Sequence, residues 1–205
     1  MNLYSHYIFP WFLDKAMSHP SFTKKRKEVL SEAKGKVLEI GLGTGLNIPC
    51  YPKNIKHITT VDVNPGMNRY AKKRAMDSSK TIDHKVITAE KLPMPDGTFD
   101  TVVTTWTLCS ILEVDQTLEE IYRVLKPGGK FIFLEHGLSR NKKIKKWQHR
   151  ITPFWKVIGD GCHLDRDIKK LILAHKFELK AYKEFDMPKM GKIASHMYQG
   201  CAFKE

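Results

Sequence analysis

The sequence predicts an α/β fold with a doubly wound, mostly parallel seven-stranded sheet and an antiparallel C-terminal strand. Three observations lead there. Short apolar runs of strand length alternate with segments of helical period, the pattern of βαβ units. The first run, Lys36-Val37-Leu38-Glu39-Ile40, is stopped by glycines, as a buried parallel strand is. The last two strand-like segments follow one another with no helix between them, which fits an antiparallel hairpin at a sheet edge.

Each element has its own signal. Residues 4–17 read as a helix with an aromatic face (Tyr4, Tyr7, Ile8, Trp11, Phe12), interrupted by Pro10. Pro20 marks a break, and Ser21 is the candidate N-cap of a helix over residues 21–33. Residues 57–61 form a second strand ending at Asp62, residues 66–76 a helix, and residues 85–88 a third strand. The fourth strand, residues 99–105, is rich in Val and Thr. Residues 115–125 are helical, with Leu118, Ile121, Tyr122 and Leu125 on one face, and Pro127-Gly128-Gly129 ends them. A fifth strand over residues 130–134, helices over 140–151 and 165–175, and strands over 178–185 and 197–203 complete the order. There is no internal repeat. One domain over residues 1–205 is expected: a helical lid (1–34), a cofactor-binding core (35–136), and substrate-side helices with the C-terminal strands (137–205).

Composition narrows the class. Of the 205 residues 41% are hydrophobic and 28% charged, enough to bury a core, which excludes wholesale disorder. No stretch reaches the ~20 apolar residues of a membrane span. The first ten residues lack the layout of a secretion signal. Four scattered cysteines with no CxxC pair argue against a zinc cage or a disulfide scaffold, so no metal and a reduced, cytoplasmic setting are expected. Lys and Arg outnumber Asp and Glu by 35 to 22, a net +13. Nucleic acid, an anionic membrane or an acidic partner would each suit that charge. The lysines are dispersed, which reads as a solvated surface. The clusters Lys24-Lys25-Arg26-Lys27 and Lys142-Lys143 with Lys145-Lys146 have no nucleic-acid-binding motif beside them, so nucleic acid is not the expected partner.

Chemistry concentrates after the first two strands. In Glu39-Ile40-Gly41-Leu42-Gly43-Thr44-Gly45, glycines let the backbone turn sharply and approach a ligand. The dinucleotide fingerprint wants its third glycine where Leu46 stands, and the Gly-Lys-Ser/Thr of a phosphate-cradling loop is absent. The loop therefore suits a nucleoside without a pyrophosphate or triphosphate. Asp62 follows Gly41 by 21 positions and can accept hydrogen bonds from both ribose hydroxyls. A lone Asp after a strand is more often a helix cap, but at this spacing from the glycines the ribose role takes precedence. The segment from Ala89 to Asp96 can put backbone amides at an adenine edge with Leu92 near its face, and Glu120 to Gly129 leads from a helix stop into a buried strand.

Together these motifs resemble the class I S-adenosylmethionine-dependent methyltransferases, in the branch with the quinone and sterol methyltransferases, over residues 36–135. The resemblance implies S-adenosyl-L-methionine as cofactor and a Rossmann-like core. It implies Glu39, Gly41, Gly43 and Gly45 around the methionine part, Asp62 on the ribose, and Ala89 and Glu90 at the adenine. Val63, Met67 and Thr105 join the cofactor set, although Met67, like Met76 and Met94, also reads as core filler. Many relatives carry Asp before the Ala-Glu pair. Here the residue is Thr88, so Glu90 or a backbone carbonyl accepts from the adenine instead, or recognition is looser.

A second resemblance spans nearly the whole chain. Phe9-Pro10-Trp11, Thr107-Leu108-Cys109-Ser110, Glu135-His136, Pro153-Phe154-Trp155 and Gly159-Asp160-Gly161-Cys162 look like the thiol S-methyltransferases of animals and bacterial relatives labelled phosphatidylethanolamine N-methyltransferases. The animal proteins have a longer hydrophobic N-terminal anchor. Residues 4–12 here are expected to form a lid over the cofactor, with contact to an anionic membrane surface as the alternative. The acceptor implied is a small molecule or lipid: a thiol first, a phospholipid amine or quinone second. A thiol of pKa near ~8.5 needs a base or a positive field at neutral pH. His136, just past the fifth strand, is the candidate base, or else a satisfied loop histidine. Asp160 can orient a base, pair with a cationic substrate, or simply form a turn. Trp106, Cys109, Trp155 and Cys162 are candidate pocket walls, with core packing as the alternative for each.

Overall fold

The computed structural model describes residues 3–205. Seven strands form one sheet in the order β3-β2-β1-β4-β5-β7-β6. They are β1 (Val37–Ile40), β2 (His57–Val61), β3 (Thr81–Lys85), β4 (Phe99–Thr105), β5 (Leu125–His136), β6 (Glu178–Asp186) and β7 (His196–Phe203). β7 lies antiparallel to both β5 and β6, and the pairs from β3 to β5 are parallel. The helices are α1 (Phe9–Met17), α2 (Pro20–Leu30), α3 (Asn68–Met76), α4 (Val114–Val124), α5 (Lys142–Ile158) and α6 (Ile168–Leu173).

Side chains alternate along each strand, so neighbouring residues enter different cores. Leu38, Val102, Phe131 and Phe133 pack with Leu118 and Ile121 of α4 and Ile168 and Ile172 of α6. Val37, Val103, Ile132 and Leu134 pack with Phe22, Val29 and Leu30 of α2 on the opposite face. Both faces of the central strands are thus covered, which is why β1 is buried throughout.

Several boundaries differ from the sequence reading. β3 lies earlier than residues 85–88, because its ladder with β2 runs from His57↔Thr81 to Val61↔Lys85 and the partner strand ends there. Ser21 does not cap α2; Pro20 opens the helix and the His19 ring accepts from the Ser21 N–H at 3.2 Å. Pro10 opens α1 rather than breaking it, after a π-helical turn over Tyr4–Ile8. α5 continues through Pro153 to Ile158, and its N-cap is Asn141, which accepts from Lys143 and Ile144. α6 starts only where Asp167 caps it. α4 ends at Val124 with Leu125 as its C-cap, so Pro127, Gly128 and Gly129 do not end the helix but lie within β5, where the two glycines exchange backbone hydrogen bonds with Lys204 at 2.8 and 3.1 Å. Met76 is 82% exposed and is not core filler, whereas Met67 and Met94 are buried.

The N-terminal segment is tied across the carboxyl edge of the sheet. Tyr4 OH donates to Ile158 O at 2.6 Å, Ser5 Oγ to Asp160 Oδ1 at 2.7 Å, and Asn64 Nδ2 to Ser5 O at 2.9 Å. Asp14 of α1 pairs with Arg74 of α3 at 2.8 Å. Among the described residues no helix is long and apolar enough to cross a membrane.

Candidate functional site

Between β1 and β4 the strand order changes direction, and ligands of open α/β sheets bind at such a switch point, beyond the strand ends. A cavity of about 660 Å³ opens there, roofed by Phe9, Phe12 and Leu13 of α1. Gly41, Gly43 and Gly45 all have positive φ (77°, 53° and 80°). A Cβ on Gly41 would run into Thr107, and one on Gly45 would stand 2.9 Å from the Ala71 Cα. A Cβ on Gly43 would meet nothing within 4 Å, because that position faces the cavity. The loop therefore leaves a cradle where a ligand can approach the backbone.

Asp62 stands opposite this cradle. Its Oδ2 accepts from Gly43 N at 2.7 Å and its Oδ1 from Asn64 N at 2.8 Å. The two bonds aim the carboxylate and leave each oxygen a second lone pair, as a ribose diol requires. Burial raises the Asp62 pKa; the two N–H bonds oppose that shift.

Glu39 is not on the cavity wall. It is buried behind the loop, where Oε1 accepts from Asn47 Nδ2 and Oε2 from Tyr51 OH, each at 2.8 Å. Asn47 also donates to Thr105 Oγ1 at 2.8 Å, so Glu39 ties the glycine loop to the end of β4. Gly45 likewise packs inside the turn, while Gly41, Gly43, Asp62, Val63, Met67, Ala89, Glu90 and Thr105 line the cavity. Burial pushes the Glu39 carboxyl up to about 7, against the hydrogen bonds from Tyr51 and Asn47 and the charge of Arg26. A carboxyl raised in the folded state binds its proton more tightly there than in the unfolded chain. Its penalty is absent at low pH and develops as pH rises from the ordinary glutamate range to about 7. Relative to wild type, Glu39→Gln is expected to gain about 3 kcal/mol between pH 4.5 and 7.5, read by urea unfolding at the two pH values. A pH-independent difference would refute this reading.

At the far end of the nucleoside side, Leu92 departs from expectation. It is buried in the core against α4, held by Glu120 and Arg123, and does not reach the cavity. Ile87, Ile111 and Leu112 supply the apolar wall instead, beside Thr88, Ala89 and Glu90.

The other end gathers the second set. Trp106, Cys109, His136, Trp155, Asp160 and Cys162 all line the same cavity. Trp106, at φ 51°, sits at the end of β4, where its Nε1 has no hydrogen-bond partner. The Arg26 guanidinium lies 4.8 Å over its ring. Trp147 is outside, exposed on α5. His136 is buried, with Nε2 3.0 Å from Cys162 Sγ, and Cys162 Sγ is 3.7 Å from Cys109 Sγ. The Cys162 thiol, His136 and Ser110 hold the Cys109 thiol well below its ordinary range, against burial; Cys162 moves up, chiefly through its bond to Cys109. Burial pulls His136 down, but the Cys109 charge and hydrogen bond make the net shift upward. Asp160 does not orient this imidazole, since Nδ1 of His136 has no protein partner and Asp160 latches Ser5 of the lid.

Arg26 and Asn47 were missed as site residues. Arg26 stands in a basic run that reads as solvated surface, yet it is buried, donates to Met17 O at 2.9 Å and lines the cavity. Burial brings its pKa down to about 10. Its helical spacing from Phe22, Val29 and Leu30, all apolar, is the signal that reveals it.

The comparisons with known proteins agree with this geometry. Residues 38–133 match the methyltransferase domain family. The chain is 34% identical to thiol S-methyltransferase TMT1B of Rattus norvegicus over 183 residues, covering 82% of this chain and 75% of the relative. It is 32% identical over 147 residues to the phosphatidylethanolamine N-methyltransferase of Cereibacter sphaeroides, covering 71% of each. In fold it is similar to a SAM-dependent methyltransferase of Aquifex aeolicus, with a TM-score of 0.65 at 19% identity, over 96% of this chain and 98% of the other. The open cradle at Gly43 and the aimed carboxylate of Asp62 fit the nucleoside cofactor that such enzymes use. The chain belongs to the class I S-adenosylmethionine-dependent methyltransferases.

Proposed function

We propose that the chain methylates a small thiol, with the nucleoside end of the cavity as cofactor site and the His136 end as acceptor site. The carrying observation is the acceptor end itself: a buried imidazole next to two thiols under an apolar roof. S-adenosylmethionine, when bound, supplies an electrophilic methyl group with its own leaving group. The chain's residues align the acceptor and exclude water. Gly41, Gly43, Asp62, Val63, Met67, Ala89, Glu90 and Thr105 hold the cofactor, with Glu39 and Gly45 shaping the loop from behind. Trp106 and Trp155 wall the acceptor, and His136 is placed to take its proton. Asp160 keeps the lid shut over both. Residues 3–34 act as lid, 35–136 as cofactor core and 137–205 as the acceptor side of one domain. The similarity to a thiol S-methyltransferase supports this reading.

The test is mass-spectrometric turnover of a panel of alkyl and aryl thiols with S-adenosylmethionine. S-methyl thioethers are expected, and His136→Asn should lower kcat by roughly 10²–10⁴-fold with cofactor affinity retained. Cofactor binding without methylation of any thiol would overturn the acceptor assignment.

A lipid amine is the second acceptor supported by a specific feature. Trp11, Phe12, Phe154, Val157 and Ile158 are exposed, and Phe12 and Ile158 also line the cavity. Lys142, Lys143, Lys145, Lys146, Arg150 and Lys156 make α5 basic. This rim suits peripheral contact with an anionic bilayer. Sedimentation with phosphatidylserine vesicles is expected to capture the protein, salt to release it, and Trp11→Asp with Phe154→Asp to abolish capture. Equal indifference to anionic and neutral vesicles would remove the membrane contact.

A further inference from the structure

The Cys109, His136 and Cys162 group has a geometry that a proton relay does not require. Their ligand atoms lie within 4.8 Å of one another and are buried on the cavity wall. In a tetrahedral zinc site, metal–sulfur bonds of about 2.3 Å and metal–nitrogen bonds of about 2.0 Å put two sulfurs ~3.8 Å apart and sulfur and nitrogen ~3.6 Å apart. The two thiols already stand at 3.7 Å, Nε2 lies 3.0 Å from Cys162 Sγ, and the third edge, from Nε2 to Cys109 Sγ, is within 4.8 Å, so an ion would draw Nε2 outward from Cys162. We propose that Cys109 Sγ, Cys162 Sγ and His136 Nε2 form a three-ligand site for a thiophilic divalent cation, zinc above all, with its fourth position open to the acceptor cavity.

Two further features support the assignment. Two sulfurs and an imidazole select a soft or borderline ion over magnesium or calcium. The ligands are held in place before any ion arrives. His136 ends β5, paired with Met197 of β7; His163 N–H donates to Cys109 O at 2.7 Å; and Arg166 donates to Leu108 O.

The proposal rests on the thiol reading for its acceptor and changes how that acceptor is activated. On metal binding Cys109 and Cys162 lose their protons. An incoming thiol then takes the open position as thiolate and releases its proton to solvent. The sulfur lone pair forms the new carbon–sulfur bond, and the cofactor leaves as the neutral thioether. His136 is a ligand throughout, which replaces its role as a free base. Arg166, whose guanidinium donates to Leu108 O, sets a positive charge near Cys109 and Cys162.

The experiment starts from the whole chain purified under reducing conditions, stripped with a chelator and titrated with zinc or cobalt(II) alone. One ion per chain is expected, with the near-ultraviolet sulfur-to-cobalt charge-transfer band and strong visible bands of a tetrahedral thiolate site. Cys109→Ser and Cys162→Ser should each weaken binding by more than the roughly 10–100-fold that loss of a ligand's supporting neighbour costs. Cys201→Ser, in β7 and off the cavity wall, should change nothing. Thiol methylation should fall at least tenfold on stripping and return with zinc. Cofactor affinity is measured on every sample as the check of folding. No ion bound at native cofactor affinity, or binding without a charge-transfer band, overturns the site. Full thiol methylation by metal-free protein overturns the ion's role and leaves the thiol reading standing. A bound ion with the expected spectrum but no thiol methylated supports the site and overturns the thiol reading.

Discussion

Asp62→Ala is expected to weaken S-adenosylmethionine binding by at least ~100-fold, since hydrogen bonds to a charged group contribute about 1.5–3 kcal/mol each and two ribose hydroxyls lose theirs. The change also frees Gly43 N and Asn64 N, which the carboxylate now holds at 2.7 and 2.8 Å. The loop and the start of α3 lose their common anchor, adding to the loss. Asp62→Asn separates the two contributions. Its side-chain oxygen can keep one backbone N–H but cannot accept from both hydroxyls and both amides. It should fall between wild type and Asp62→Ala. Calorimetric titration measures all three, and an alanine variant within threefold of wild type would remove Asp62 from the cofactor site.

Gly41→Ala and Gly43→Ala should fail in different ways, although both glycines have positive φ. At Gly41 the added methyl meets Thr107, whose N–H is fixed on Glu135 Oε2 at 2.9 Å, so the neighbour has little room to yield. Left-handed backbone strain plus overpacking is expected to cost about 2–5 kcal/mol, lowering Tm before any ligand is added. At Gly43 there is no protein neighbour within 4 Å. The stability cost is then only the ~1–2 kcal/mol of the left-handed conformation, while the methyl occupies ligand space and affinity should drop more than tenfold. Thermal unfolding and cofactor titration of both variants check the contrast. Equal stabilities for the two would contradict it.

These contrasts show where local sequence stops being informative. The glycines and Asp62 are legible because a tight turn and a close backbone approach restrict residue type at fixed spacing after a strand. β2 and β4 are legible for a similar reason, since β-branched runs bounded by turns have few other places to go. β3 is not, because its strand residues are set by pairing with β2 rather than by apolar content; Val86 and Ile87 look more strand-like than Asp83 but lie past the end of the partner. Arg26 and Lys25 look alike as members of a basic run; helical phase puts Arg26 on the apolar face with Phe22, Val29 and Leu30, and only the structure shows its guanidinium over the Trp106 ring while Lys25 stays half-buried on Glu28.

By itself the sequence determined the alternating α/β order, the antiparallel end of the sheet, the tight glycine turn after β1 and the methyltransferase family, since periodicity, turn chemistry and motif spacing act over a few residues. Tertiary structure alone decided the cluster of Cys109, His136 and Cys162 on the cavity wall. Cys109 and Cys162 are 53 positions apart, and His136 is 26 from Cys162. They meet because β4 and β5 are neighbours in the sheet and the turn after α5 folds back on the loop after β4, with His163 N–H on Cys109 O. A cysteine spacing rule sees only ligands that share one local turn. A site assembled from two strand ends and a distant turn leaves no such spacing, because the sheet supplies the proximity that the chain does not.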